Sequence, residues 1–266
     1  MRYAILGLAG TAPFVAHAPT RAASRPTSTP RRRHECRRGT RGRVRYVLLL
    51  LLLFGGTAAA QEGESLAYSV NWSSGLPVGE AHLESKKTTS DRRELLFTLD
   101  AAIPGFEVVD RYRSLATAAL CSVEFEKNSR HGKKVTHELT AFDPQASTAT
   151  RQTLGGGGES RIETSACARD ALTFLDNLRR EVAAGRLPPT QTIYFGGPYQ
   201  IRLESAGRQR LELGEEAMDV DRITASVKGK TSDFTFEIFL ARDSSRRPVL
   251  VRVPLPPGTF SMELVP

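Results

Sequence analysis

The sequence predicts a mainly β fold, in which a single antiparallel, curved sheet or partial barrel carries one packed amphipathic helix at about residues 168–185. Two patterns indicate this fold. Apolar and polar residues alternate through most of the chain after residue 64, which is typical of strands with one buried face. Turn-forming residues interrupt the alternation roughly every eight to twelve positions, as in an antiparallel meander or barrel.

Residues 44–60, which precede the predicted sheet, are predicted to be a signal peptide. Six consecutive leucines follow basic residues and precede small residues that end at Ala60, where we expect cleavage. This apolar run is far shorter than the roughly 20 residues that cross a bilayer. The sequence therefore predicts an exported protein that is periplasmic or extracellular.

Residues 1–43 are interpreted as a disordered or misassigned N-terminal extension. Much of this stretch is rich in Arg, Ser, Thr and Pro and has no apolar periodicity, so it cannot form a packed core. One explanation is a translation start placed too far upstream, with the true start at about Val44 instead of Met1. The alternative is that its arginines form a nucleic-acid-binding arm or a membrane-surface patch. We expect residues 61–266 to form a single β-rich domain.

The first three strands are predicted from strict alternation. Residues 66–72 place an apolar side chain at every second position. A turn rich in Ser, Gly and Pro at 73–77 then leads into a returning strand at 78–84. Residues 93–103 form the third predicted strand, and the Pro104-Gly pair that follows ends it.

The later strands are predicted by the same alternation on both sides of the helix. They cover residues 115–120, 122–127, 135–142, 148–154, 160–164, 192–195, 199–205, 208–213, 218–227, 233–240, 249–253 and 260–264. Four consecutive glycines, Gly155–Gly158, separate two of these strands. The glycine run lacks the Lys-Ser/Thr pair and the following helix of a phosphate-binding loop, so we interpret it as a hairpin tip.

One segment departs from the alternation. From Ala171 to Val182, apolar residues recur at intervals of four, three and four, which is typical of an amphipathic helix that lays one face on a sheet. Thr164 or Ser165 is the expected N-cap, and Gly185 suits the C-terminal cap. The sequence therefore predicts one long helix in an otherwise β domain.

Two cysteines remain after the predicted leader region, in which Cys36 lies. Cys121 and Cys167 form an even pair in a chain that we expect to be exported, and oxidising compartments favour disulfides. Their bridge would contribute roughly 4 kcal/mol by the chain-entropy model. It would also fasten the start of the helix to the sheet. The alternative is two separate buried thiols that pack as small apolar side chains.

The charge distribution argues against a nucleic-acid partner. Of the 37 basic and 29 acidic residues in the chain, residues 1–60 contain 11 and one respectively. The remainder therefore has 26 basic and 28 acidic residues, a net charge of −2. A mildly acidic domain offers no electrostatic attraction for a phosphate backbone. No further apolar run reaches membrane-spanning length, so we expect no stable membrane span after cleavage.

Candidate chemistry is sparse along the chain. The histidines after the leader show no metal-ligand spacing with either cysteine, so we expect neither a metal site nor a cofactor. No catalytic constellation is visible, and an enzyme is not expected. The aspartate and the arginine that follow each other in the 110–112 segment could either bind a ligand or pair with residues on neighbouring strands. The candidate binding residues are Trp72, Asp110, Arg111, Tyr112, Phe174 and Leu178.

A series of short motifs, in a fixed order over residues 64–266, resembles a family of exported bacterial proteins known as domain of unknown function 3108. The motifs are Tyr68–Trp72, Pro77–Ala81, Asp110–Tyr112, Phe142–Pro144, Cys167–Leu172, Leu240–Asp243, Arg247–Val249, Gly258 and Glu263–Leu264. The resemblance implies a β-rich fold and an envelope location. It supplies no catalytic residues.

We therefore expect a non-catalytic binding or carrier module of the cell envelope, for an apolar or lipid-like ligand. The alternative is a structural or protein-interaction module that binds another envelope protein and no small ligand. A hydrolase is the least favoured class, because it requires two or more of Ser, His and Asp within hydrogen-bond reach in a cleft. A continuous apolar cavity of a few hundred cubic ångströms between helix and sheet, lined by residues such as Trp72, Phe174 and Leu178, would favour the carrier. A filled core would favour the interaction module.

Overall fold

A computed structural model describes residues 63–214, 216–230, 232–255 and 258–265. The predicted N-terminal extension at 1–43, the signal peptide at 44–60 and its cleavage site lie outside these residues. The structural statements below concern the described part of the chain.

Within the described residues, fifteen strands and one α-helix form the fold, and all fifteen strands belong to one sheet. The strands are β1 Gly63–Asn71, β2 Pro77–Thr89, β3 Arg92–Ile103, β4 Phe106–Thr117, β5 Ser122–His131, β6 Lys134–Asp143, β7 Thr148–Thr153, β8 Gly158–Glu163, β9 Arg169–Asp170, β10 Gln191–Tyr194, β11 Pro198–Leu213, β12 Glu216–Lys228, β13 Asp233–Ala241, β14 Pro248–Leu255 and β15 Gly258–Leu264. The helix, α1, covers Ala171–Ala183.

The sheet is an antiparallel meander whose two halves are joined at its centre. Its strand order is β8-β7-β6-β5-β4-β3-β2-β1-β15-β14-β13-β12-β11-β10-β9. The first and last strands pair with each other, with Tyr68 opposite Leu264. A two-residue parallel contact between β9 and β10 is the exception to antiparallel pairing in the described sheet. Strands β8 and β9 are its edges, so main-chain hydrogen bonds do not close the sheet into a ring.

Side chains from β10 nevertheless pack against strands in the other half of the sheet. The Tyr194 ring makes an edge contact with Phe142 of β6, with ring centroids 5.7 Å apart. The Tyr194 hydroxyl also donates a hydrogen bond to the carbonyl of Glu163 in β8 at 3.2 Å. The sheet therefore curls until its two ends overlap. This confirms the prediction of a curved sheet or partial barrel with one packed helix.

The helix lies across one end of the curled sheet, which we call the lower end. Arg179 donates to the carbonyl of Ser245 in the β13–β14 connection at 2.9 Å. Arg180 donates to the carbonyl of Ala119 in the β4–β5 connection at 3.2 Å. Both connections lie at the lower end. The opposite, upper end carries the β1–β2, β3–β4, β5–β6, β7–β8, β10–β11, β12–β13 and β14–β15 connections.

The predicted N-cap, Thr164 or Ser165, is wrong. Asp170 caps the helix instead, because its Oδ1 accepts hydrogen bonds from the backbone N–H groups of Leu172 at 2.8 Å and Thr173 at 3.0 Å. The helix also begins at residue 171 and not near 168, since the two preceding residues pair as β9 with β10. The C-terminal prediction is confirmed: Gly185 follows the C-cap residue with φ of +79° and donates to Val182.

Two strand predictions are corrected by the structure. Strand β4 covers Phe106–Thr117, whereas the sequence predicted a strand only from 115 to 120. The inward-facing Asp110 and Ser114 are polar, so the apolar alternation that signals a strand is interrupted between residues 110 and 114. The predicted strands at 199–205 and 208–213 are one strand, β11, with an irregular register between them.

The disulfide between Cys121 and Cys167 is present, with Cα atoms 4.8 Å apart. It connects the residue before β5 to the segment that leads into β9 and α1. Directly beside it, the backbone N–H of Ser122 donates to the carbonyl of Ala168 at 2.8 Å. The start of the helical segment is therefore fixed to the sheet by a covalent bond and by a main-chain hydrogen bond.

Candidate functional site

The concave side of the sheet contains two adjoining apolar cavities. The lower cavity has a volume of about 240 Å³ and is bounded by strands from both halves of the sheet and by one face of α1. Its walls are aromatic and aliphatic, and no charged side chain lines it among the described residues. The lining includes Tyr68, Leu83, Phe97, Tyr112, Leu172, Phe174, Leu175, Phe195, Phe236, Ile238, Val251 and Met262.

The upper cavity, of about 300 Å³, extends from there towards the upper end. Val251 and Met262 line both cavities and stand opposite each other on β14 and β15, so this pair separates the two spaces. Together the volumes fall in the range of about 300–1,000 Å³ that is typical of small-molecule sites. The upper lining includes Val70, Val78, Leu99, Ala101, Ile103, Phe106, Val108, Val253, Leu255 and Phe260.

Alternation along the strands produces this lining. On β3, Phe97 faces the lower cavity, and Leu99 and Ala101 face the upper cavity, two residues apart each time. The inward side chains become smaller from Phe97 to Ala101. Space is therefore left at the upper end where larger residues would have filled the interior.

Asp110 is the buried acidic residue of β4. Its Oδ1 lies 2.9 Å from Nε2 of His131 on the neighbouring strand. Tyr112, two residues along the same face, lines the lower cavity. Burial raises the pKa of the Tyr112 phenol well above its usual range, and the adjacent Asp110 carboxylate raises that pKa further. Tyr112 therefore presents a neutral ring to the cavity.

Asp110 and Arg111 do not form a joint site. Consecutive strand residues point to opposite faces, so Asp110 is buried inside the curl, whereas the Arg111 side chain is 61 % exposed outside it. Arg111 lies 4.0 Å from Asp100 on β3. The sequence left two interpretations open, and the structure fits pairing across strands. Asp110 pairs with His131, and Arg111 pairs with Asp100.

The structure brings two of the three hydrolase side-chain types together, in the Asp110–His131 pair. Ser129 is the register partner of Asp110, but no hydrogen bond joins its hydroxyl to His131 in the described structure. Neither Asp110 nor His131 lines the upper or the lower cavity. The pair therefore meets the hydrogen-bond requirement for a hydrolase but lies outside both cavities.

Phe174 lines the lower cavity, whereas the other two apolar candidates lie away from the cavities. Leu178 is completely buried and packs with Ile223 and Leu240 in the core beneath the helix. Trp72 lies just beyond the end of β1, with its ring 5.4 Å from the ring of Phe260. Since Phe260 lines the upper cavity, Trp72 supports the rim of that cavity from outside.

Sequence reasoning missed the upper cavity. Its distinctive residues are Ile103, Phe106, Leu255 and Phe260, which are apolar residues beside hairpin connections. Their signal in the sequence is an apolar side chain at a position where a polar turn residue is expected.

The described residues contain no group of three or more His, Cys, Asp or Glu side chains placed to hold a metal ion. Among the same residues, α1 is too short and too polar to be a membrane-spanning helix.

Comparison with solved structures identifies a neighbour with the same general fold. A crystal structure of a β-barrel-like protein of domain of unknown function DUF1849 from Brucella abortus superposes with a TM-score of 0.54 at 8 % identity. The match covers 76 % of this chain and 95 % of the other. At this identity the likeness concerns the fold alone. Comparison with curated proteins gives no match.

The family comparison agrees with the resemblance inferred from the motifs. A model of the family described as "Protein of unknown function (DUF3108)" matches residues 67–265. These bounds include all the described strands from the second half of β1 to the end of β15. The chain therefore belongs to the DUF3108 family.

Proposed function

We propose that this protein is a non-catalytic carrier that binds an apolar or lipid-like ligand inside its curled sheet. One observation carries the proposal: the space between the two halves of the sheet is not filled by side chains. Two adjoining cavities of about 240 and 300 Å³ remain, and their walls are almost entirely apolar. An apolar ligand would gain roughly 25 cal/mol for each Å² of apolar surface that it removes from water there.

The candidate residues divide into two groups under this proposal. Tyr112 and Phe174 would contact the ligand, because both line the lower cavity. Trp72 would position Phe260 at the rim of the upper cavity. Asp110 would act indirectly, next to Tyr112. Arg111 on the outer face and Leu178 in the core would not contact the ligand.

Export to the periplasm or to the outside of the cell is part of the proposal. The signal-peptide pattern at 44–60 supports it, and so does the Cys121–Cys167 disulfide, because disulfides persist in oxidising compartments. An apolar ligand that crosses an aqueous compartment needs a shielded cavity.

The alternative remains a module that binds another envelope protein. Strand β8 supports it, since its outer edge has no neighbouring strand in the described sheet and could pair with a strand of a partner. Such a module would need neither cavity. Ligand binding inside the sheet therefore separates the two functions.

A fluorescent apolar probe tests the carrier function directly. We expect N-phenyl-1-naphthylamine to bind the purified protein with enhanced emission. Replacing Ala101 with tryptophan would place a large ring in the upper cavity, because this side chain faces inward. We expect the substitution to weaken probe binding at least about tenfold, in line with the loss of 1.4 kcal/mol or more.

The matched control is Thr98→Trp on the same strand, which adds the same ring without reaching either cavity. It should leave the probe affinity unchanged. Thermal unfolding of both variants verifies that they are folded. A wild-type protein that does not bind the probe, or an Ala101→Trp variant that binds it as tightly as Thr98→Trp, would contradict the carrier function.

A further inference from the structure

The exposed apolar side chains of the described structure are concentrated at one end of the sheet. Seven large apolar residues are strongly exposed, and six of them lie in or beside the upper-end connections. The seventh, Val265, follows β15 at the lower end. The six upper residues, here called the apolar rim, are Leu76, Phe106, Val135, Leu154, Phe234 and Leu255.

Two residues of the apolar rim also line the upper cavity. Phe106 and Leu255 belong both to the rim and to the lining of that cavity. Apolar surface therefore continues from the outside of the upper end into the interior. At the lower end, Arg179 and Arg180 of α1 instead donate hydrogen bonds to the β13–β14 and β4–β5 connections.

Basic side chains accompany the rim. Lys133 and Lys134 lie in the β5–β6 hairpin, and Lys228 and Lys230 lie at the β12–β13 connection. All four are exposed, and none of them forms an ion pair with a described residue. At the lower end, by contrast, the arginines of the β13–β14 connection are held by carboxylates, as in the Arg246–Asp221 pair at 2.8 Å.

We propose that the upper end docks onto the surface of a bilayer that contains anionic phospholipids. Exposed apolar side chains at several hairpin tips would enter the boundary between headgroups and acyl chains, and the unpaired lysines would contact the phosphates. The occupant is a lipid surface because exposed apolar tips, free lysines and an apolar opening are combined at one end. This inference rests on the proposed carrier function and adds the membrane as the donor or acceptor of the ligand.

Vesicle flotation tests the docking surface. The probes are vesicles of phosphatidylglycerol and phosphatidylethanolamine, compared with vesicles of phosphatidylcholine alone. We expect the wild-type protein to float with the anionic vesicles, and to float less at 0.5 M than at 0.05 M salt because the lysine contribution is screened. Leu76 and Val135 line neither cavity. The double variant Leu76→Ser/Val135→Ser should lower flotation at least about fivefold and leave naphthylamine binding unchanged.

Val265→Ser is the control for loss of an exposed apolar side chain, since Val265 lies away from the rim and is comparably exposed. It should float like the wild type. The docking proposal is contradicted if the wild type does not float with anionic vesicles, or if the Leu76→Ser/Val135→Ser variant floats as well as Val265→Ser. If flotation fails and probe binding persists, the carrier function stands without membrane docking. If probe binding fails and flotation persists, the docking surface stands and the carrier function does not.

Discussion

Replacing Asp170 with alanine is expected to lower the free energy of unfolding by about 4 kcal/mol, from the loss of a helix cap and of buried hydrogen bonds. Asp170 is completely buried. Besides capping α1, its Oδ2 accepts from the hydroxyls of Ser114 at 2.5 Å and Ser122 at 2.6 Å. The alanine variant would leave these hydroxyls and two backbone N–H groups without their acceptor. Chemical denaturation measures the loss.

Asp143 provides a matched control for Asp170. Its Oδ1 also accepts from the backbone N–H groups two and three residues further on, those of Gln145 and Ala146, but in an exposed turn. Asp143→Ala should therefore change the unfolding free energy by no more than about 0.5 kcal/mol. Equal effects of the two substitutions would contradict the role assigned to the buried network.

The pH dependence of the Asp170 contribution has a definite sign. Burial raises the pKa of this carboxyl above its ordinary value of 3.8, although four hydrogen bonds to it act in the opposite direction. The folded state therefore retains the proton to higher pH than the unfolded state. As pH rises from 3.8 through the folded pKa, the contribution to stability decreases. Relative to Asp170→Asn, the wild type should lose stability across this window, and the reverse slope would contradict the assignment.

Loss of the disulfide is the second large effect that we expect. The free energy of unfolding of the Cys121→Ser/Cys167→Ser variant should be about 4 kcal/mol lower than that of the wild type, because the bridge closes a loop with a sequence separation of 46. Its denaturation midpoint should match that of the wild type under a reducing agent. A variant as stable as the oxidised wild type would show that the bridge does not constrain the unfolded chain.

The two large effects should not be additive. Cys121 and Ser122 are adjacent on one side of the contact, and Cys167 and Asp170 are three residues apart on the other. Both interactions hold the same segment to the beginning of β5. Once the bridge is removed, part of the Asp170 network is expected to loosen. The triple variant should therefore show a coupling of about 0.5–3 kcal/mol.

The sequence predicts the fold class well because alternation marks each strand whose inner face is apolar. Prediction fails for residues 106–114 of β4, where the inward-facing Asp110 and Ser114 interrupt the alternation. The N-cap is missed for a related reason. Thr164 and Ser165 fit the local pattern. Asp170 is instead held at the N-cap position by hydrogen bonds from Ser114 and Ser122, which are distant in the chain.

The sequence predicts that an apolar cavity is possible, but it does not predict where the cavity lies or which residues line it. Phe174 and Tyr112 were identified as candidates and line the lower cavity. Leu178 has the same helical periodicity, yet it packs against Ile223 in the core. A periodic pattern predicts which face of a helix is buried. It does not predict whether the side chains on that face pack directly against the sheet or line a cavity. The space left between walls depends on side-chain sizes from strands that are far apart in the sequence, as with Ala101 on β3.

Native mass spectrometry of the protein recovered gently from the cells that produce it tests the central claim most directly. The account predicts a population whose mass exceeds that of the polypeptide by one lipid-sized apolar molecule. That population should persist in Thr98→Trp and disappear in Ala101→Trp. A single mass equal to the bare polypeptide in the wild type, or an identical adduct in both tryptophan variants, would contradict it.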